Sequence, residues 1–387
     1  MPLPELFEYQ TRTRVVYGPG VVKDIGFEVG KLGGTRAVIV TDRVLRSIGL
    51  VDRVVRGLVE SGVELAGIYD DVPPNSEVKV VERGAQYARE QGCDVLIAVG
   101  GGSVIDTAKG MDVLLALGGS LLDYQGVGVV NQPLLPLIAV PTTAGTGSEV
   151  TLAAVIKDDA SGLKLEFNSP YMMPNVAVLD PEMTITLPPM LTAATGMDAL
   201  THAIEAYVSN QAEPITDALG IHALRMIAQA LPAAVKNGGD LEARGEMLLA
   251  ACIAGLSFSN ALCGIVHAMA HACGGRYGVP HGVANSILLP YGMEFNLDSC
   301  PERCADIAVA MGAATERASV KRAARLSVAA VRKLSADIGL PRRLRDVGVE
   351  ADGIPQLAED ALADAMMISN PRPAELPDVI QLLKRAY

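Results

Sequence analysis

Apolar residues in the first half of the chain fall into two alternating textures. Short β-branched runs, Ala37-Val38-Ile39-Val40, Asp94 to Val99 and Leu137 to Val140, are separated by stretches with helical spacing such as Val54 to Ser61. This alternation predicts a parallel sheet with helices on both faces. The run Val95-Leu96-Ile97-Ala98-Val99 lacks polar alternation, as expected of a strand covered on both sides. Pro181 to Pro189 carries three prolines and reads as a domain boundary. Beyond it helix formers dominate, alanine is abundant, and Pro and Gly fall at spacings that separate helices of ordinary length. The expectation is an α/β dinucleotide-binding domain of Rossmann-like character over residues 1–185, followed by an all-α domain over 186–387.

Length and composition agree with this division. At about 150 residues per domain, 387 residues make two compact domains. Half the residues are apolar, mean hydropathy is +0.30 and only 20% are charged, which excludes disorder and coiled coil. A net charge of −12 repels nucleic acid and anionic lipid, although backbone N–H groups still hold a dinucleotide phosphate locally. Six cysteines without a C-x-x-C pair, and an N-terminus lacking the pattern of an export signal, point to the cytoplasm. Residues 247–275 contain no Asp, Glu, Lys or Arg, long enough to span a bilayer. Ser257, Ser259, Asn260, His267, His271 and several glycines favour a buried core helix there.

Two loops carry the pattern of a phosphate site. Val95 to Val99 runs into Gly100-Gly101-Gly102-Ser103-Val104-Ile105-Asp106, a strand, a glycine turn and a helix start. Glycines admit a ligand close to the backbone, and the helix N-terminus offers unpaired N–H groups with a partial positive charge. The pattern is neither G-x-G-x-x-G nor a Walker P-loop. The alternative is a structural turn with Ser103 and Asp106 as capping residues. Pro141-Thr142-Thr143-Ala144-Gly145-Thr146-Gly147-Ser148-Glu149, rich in hydroxyls, follows the next strand. Asp42, just after Val38 to Val40, suits a ribose hydroxyl and repels a 2′-phosphate, which favours NAD over NADP; a helix N-cap is the other reading.

Four of the five histidines cluster in the second half. Asp198 and His202 stand four apart, as do His267 and His271, and His281 follows in an expected loop, Val279-Pro280-His281-Gly282. Spacing of four places both side chains on one helix face. One carboxylate and three imidazoles suit Fe(II), Zn(II) or a similar divalent ion. His222 has no such neighbour and is assigned to helix packing.

The segments GGGSVIDTAKG, PTTAGTGSEVT, ATGMDALTHAIEAYVS, GIVHAMAHACGG and PHGVANSILLPYGMEFN resemble those of the iron-containing (group III) alcohol dehydrogenases. The likeness runs from Val16-Tyr17-Gly18-Pro19-Gly20 to Asn370-Pro371-Arg372. It implies a dehydroquinate synthase-like two-domain architecture with the active site in the cleft between domains. It also implies metal ligands at Asp198, His202, His267 and His281, and a non-ligand histidine near the nicotinamide at His271. Cofactor contacts are implied at Asp42, Asn75, Gly102, Ser103, Thr142, Thr143 and Lys164. The two loops add Gly101, Asp106 and Thr146 to the expected cofactor set.

The expected chemistry is hydride transfer between NAD and a small primary alcohol or diol, or the corresponding aldehyde. A divalent metal, Fe(II) first and Zn(II) or another ion second, brings the pKa of a bound alcohol from roughly 16 toward about 7. His271 is expected to relay the proton or to orient its neighbours. Phe258, Leu262, Met366 and Met367 are expected to line the substrate pocket. Alternatives are a nicotinoprotein that retains its NAD, a dehydroquinate synthase-like lyase, and a silent metal-binding scaffold. Residues 196–210 and 247–275 hold no Lys or Arg for an anionic substrate, which speaks against the lyase. A homo-oligomer, dimer or higher, is expected, with neither nucleic acid nor membrane as partner.

Overall fold

The computed structural model describes residues 4–158 and 164–387. Contacts divide the chain into Gln10–Thr143 with Gly147–Thr186, and Leu187–Tyr387 with Ala144–Thr146 and the residues up to Tyr9. The division falls inside the proline-rich segment. Two pieces expected in the first domain, the N-terminal residues and Ala144–Thr146, group instead with the helices. Close packing explains the second case, because the Gly145 backbone lies so near Thr195 that a Cβ there would sit 2.7 Å from the Thr195 carbonyl oxygen.

In the α/β unit the strands are β1 (Arg14–Tyr17), β2 (Arg36–Val40), β3 (Glu64–Tyr69), β4 (Val95–Gly100), β5 (Gly126–Val127), β6 (Leu137–Pro141), β7 (Ala153–Lys157), β8 (Lys164–Asn168) and β9 (Val176–Leu179). Its helices are α1 (Ile25–Lys31), α2 (Arg43–Ser47), α3 (Val51–Ser61), α4 (Val78–Glu90) and α5 (Gly102–Leu117). Six strands form one all-parallel sheet in the order β1-β9-β6-β4-β2-β3. Val95 to Val99 of β4 are fully buried, with Leu96 and Ala98 packed on one side and Val95, Ile97 and Val99 on the other. Covering both faces is what removes the polar alternation. A second, three-stranded sheet, β5-β8-β7, was not anticipated; β7 and β8 pair antiparallel with alternating burial.

The helical unit comprises α6 (Pro189–Val208), α7 (Pro214–Lys236), α8 (Leu241–Ala261), α9 (Ile265–Tyr277), α10 (His281–Asn296), α11 (Pro301–Ala310), α12 (Val320–Asp337), α13 (Ile354–Leu362) and α14 (Leu376–Ala386). The uncharged stretch 247–275 is the end of α8 and most of α9, bent by 103° at the break and largely buried among the other helices. By length and composition alone α7 would cross a membrane. It packs instead between α6 and α8. α6, where Asp198 and His202 lie, is buried along nearly its whole length after the first turn.

Candidate metal centre and cofactor loops

Three helices bring the expected ligands together. Asp198 and His202 lie one turn apart on α6, His267 is in the first turn of α9, and His281 opens α10. His281 is therefore helical and not in a loop, because Pro280, at φ −57°, serves as the N-cap and starts the helix there. One donor atom from each of Asp198, His202, His267 and His281 lies within 4.8 Å of every other. His281 Nε2 is 3.4 Å from Asp198 Oδ1, and His267 Nε2 is 3.9 Å from it. Ligands on a tetrahedral ion with bonds near 2.1 Å are roughly 3.4 Å apart, so the spacing matches a divalent cation.

The donor set fits such an ion chemically as well. Asp198, His202 and His267 are at most 5% exposed. One ligand atom from each of the four residues converges, and the amide nitrogen of Asn285 reaches three of these side chains: Asp198 Oδ1 at 2.7 Å, His281 Nε2 at 3.2 Å and His267 Nε2 at 3.3 Å. One NH₂ group has two hydrogens and serves at most two of these three atoms, which leaves ligand capacity for a cation. Burial pushes the His202 imidazole down to about 4, which keeps the ring neutral at pH 7. Burial also opposes charge on His267, but Cys263 and Glu205 beside it outweigh burial and hold its pKa well above the ordinary value.

His271 lies one turn beyond His267. Its Nδ1 is bonded to Asp364 Oδ2 at 2.8 Å, and its ring stacks on His281 with centroids 5.3 Å apart. Phe258 lies flat on His202, with centroids 4.0 Å apart and planes 12° off parallel. That contact puts the Phe258 ring beside the ligand set. Leu262 sits at the α8–α9 bend, and Met366 and Met367 are in the single turn that Asp364 caps.

In the α/β unit the expected cofactor residues gather at one sheet edge. β2, β4 and β6 are adjacent and parallel, with Val40 level with Ala98 and Gly100 level with Pro141. Asp42, Gly101 and Thr142 therefore follow the carboxyl ends of three neighbouring strands. Between β2 and β4 the strand order reverses direction, the place where open α/β sheets bind ligands. Gly101 precedes α5 in extended conformation and, as the N-cap residue, supplies no side-chain cap. Ser103 is thus not a cap; its Oγ accepts from the backbone of Asn75, which holds φ 69°. Thr142 is buried and donates its N–H to Gly100 O, with Thr143 next to it. Asp42 does cap α2, accepting from Leu45 N at 2.9 Å through one oxygen.

Three further expected cofactor residues lie outside these three strand ends. Asp106 accepts from Ser148 Oγ at 2.6 Å through one oxygen and from Val155 N at 3.0 Å through the other. Lys164 opens β8 in the small sheet, and Thr146 belongs with the helical unit. Four residues went unassigned from sequence: Glu205, Asn285, Asp364 and Asn370. Glu205 and Asn285 had a local signal, three residues after His202 and four after His281. Asp364 lies 93 residues from His271, beyond any local spacing.

Comparison with known proteins identifies the family. The family described as "Iron-containing alcohol dehydrogenase" matches residues 12–181, and "Fe-containing alcohol dehydrogenase family, C-terminal" matches 192–387. This chain belongs to the iron-containing alcohol dehydrogenase family. It is 42% identical to 1,3-propanediol dehydrogenase of Citrobacter freundii over 99% of both chains. It is 43% identical to lactaldehyde reductase of Escherichia coli K12, over 96% of this chain and 97% of that one. A solved 1,3-propanediol oxidoreductase superposes with a TM-score of 0.97 at 42% identity, covering 99% of this chain and 100% of that one. The protein is accordingly an NAD-dependent, iron-containing alcohol/aldehyde oxidoreductase, and the lyase and nicotinoprotein readings are not favoured.

Proposed function

We propose that the enzyme interconverts small primary alcohols or diols with their aldehydes at an ion held by Asp198, His202, His267 and His281. The observation that carries this is the meeting of one carboxylate and three imidazoles within 4.8 Å. When bound, Fe(II) acidifies an alcohol and polarises an aldehyde, while NAD takes or returns hydride. The chain's own residues supply the rest. Neutral His202 keeps a lone pair ready, Asn285 orients Asp198, and Phe258 closes an apolar wall beside the ligands. His271, oriented by Asp364, hands a proton from substrate toward solvent. Gly101, Gly102 and Ser103 at the start of α5, with Thr142 and Thr143, receive the pyrophosphate, Asp42 the ribose, and Asn75 and Lys164 flank them.

A net charge of −12 supports uncharged substrates over nucleic acid or membrane partners, and six free cysteines support the cytoplasm. Exposed Val15 and Tyr17 on edge strand β1 support association into a dimer or higher homo-oligomer. The test is His267→Ala, assayed with C2 to C4 alcohols and aldehydes alongside metal analysis of anaerobically purified protein. The variant loses metal and turnover but still binds NADH. Wild-type turnover in that variant after exhaustive chelation refutes the assignment.

A further inference from the structure

The most heavily engaged carboxylate near the ion site is one that the ligand set does not use. Glu205 lies on α6, three residues after His202 and seven after Asp198, and so shares their helix face. It is 3% exposed. Its Oε1 accepts from Val266 N at 2.8 Å, and its Oε2 accepts from His267 N at 3.2 Å and meets His267 Nδ1 at 2.5 Å. α9 begins without a side-chain cap from its own N-cap residue, Gly264. Two distant side chains satisfy its first N–H groups instead: Glu205, and Asn370, whose Oδ1 accepts from Ile265 N at 3.2 Å. Gly264 leaves room for both, since a Cβ there would lie 3.0 Å from Glu205 Oε1 and 2.8 Å from Asn370 Oδ1.

We propose that Glu205 is a positioning residue that dictates which ring nitrogen of His267 faces the cation. This rests on the ligand assignment above. A neutral imidazole carries one N–H, and only the other nitrogen binds metal. By accepting at Nδ1, Glu205 leaves the Nε2 lone pair on the side of Asp198 and His281. The same carboxylate fixes the first turn of α9 to α6, so ring tautomer and ring position are set together. A carboxylate is needed because three N–H groups meet two oxygens. Glutamine offers one oxygen and one NH₂. In one orientation its NH₂ opposes Val266 N–H and loosens the turn; in the other it opposes His267 Nδ1 and drives the proton onto Nε2. Both displace the lone pair that the metal needs.

The experiment compares wild type, Glu205→Gln and His267→Ala, measuring Zn(II) affinity by chelator competition on protein shown to be folded by circular dichroism. Glu205→Gln is expected to bind Zn(II) about 10–100-fold more weakly, the range for a lost partner of a ligating histidine. A role confined to helix capping would lower the melting temperature of metal-free protein and leave Zn(II) affinity unchanged; that result overturns the proposal. If His267→Ala binds Zn(II) like wild type, the ligand assignment itself is wrong. If only His267→Ala loses affinity, the assignment stands and the role of Glu205 falls. Should Glu205→Gln not fold, nitrogen-15 histidine NMR of Zn(II)-loaded wild type decides. The expected spectrum shows a hydrogen-bonded proton on His267 Nδ1, and coordination through Nδ1 overturns the proposal.

Discussion

Adding one methyl group at Gly282 would test how rigidly the helices hold the ion. Gly282 follows His281 at the start of α10, where the backbone meets α6, and a Cβ there would lie 2.2 Å from Ala194 O and 2.7 Å from its carbonyl carbon. Real Cβ atoms do not approach nearer than 3.0 Å, so Gly282→Ala forces a retreat of about 0.8 Å. The obstacle is backbone on a buried helix and cannot swing aside. Metal–ligand bonds tolerate only about 0.2 Å, so His281 leaves bonding range while the other three ligands stay. Overpacking costs about 1–3 kcal/mol, a fall of roughly 2–4 °C in Tm per kcal/mol for a unit of this size. The protein should therefore fold yet lose metal. Retained iron after graded chelation, and kcat/KM with a short aldehyde, are the readouts; a loss of about 100-fold in kcat/KM is expected. A folded Gly282→Ala enzyme with wild-type metal retention would refute the claim that α6–α10 packing places His281.

Two further outcomes concern the α/β unit. Asp42→Gly should raise NADP use relative to NAD at least about tenfold, because glycine still caps α2 at a cost of only a few tenths of a kcal/mol. An unchanged cofactor ratio would show that Asp42 is a cap and nothing more. Glu149 is buried near Lys109, and burial raises its pKa from 4.5 to about 7. The folded state thus binds more protons than the unfolded state between those values, and this group's contribution to stability falls as pH rises through that window. Wild type should lose stability relative to Glu149→Gln from about pH 4.5 to 7 in denaturant titrations; parallel curves would refute the assignment.

Much of this was legible in sequence where physics is local. Unbroken apolar runs marked β2, β4 and β6, since a strand buried on both faces has no use for polar residues. The spacing of four joined Asp198 to His202 and His267 to His271, because one helical turn fixes which side chains share a face. Local reasoning failed where a side chain answers to a distant backbone. Asp106, expected among the cofactor contacts, also ties its own helix to Ser148 and Val155. β8 alternates polar and apolar residues, and the apolar run Ala153-Ala154-Val155-Ile156 of β7 was passed over, so the small sheet was missed. Glu205 stood in plain view beside His202, yet its task is set by α9, about sixty residues on, which only the folded chain reveals.

The ligand positions span 83 residues of chain, from Asp198 to His281, and every one lies on a helix of the same unit. An ion held there would act as a clasp as well as a reagent, closing a long loop that the unfolded chain cannot close. Resistance to heat then becomes a meter of iron supply, since a cation at a thousand times its dissociation constant adds about 4 kcal/mol. Starved of the metal, the enzyme gives up part of its endurance along with its chemistry.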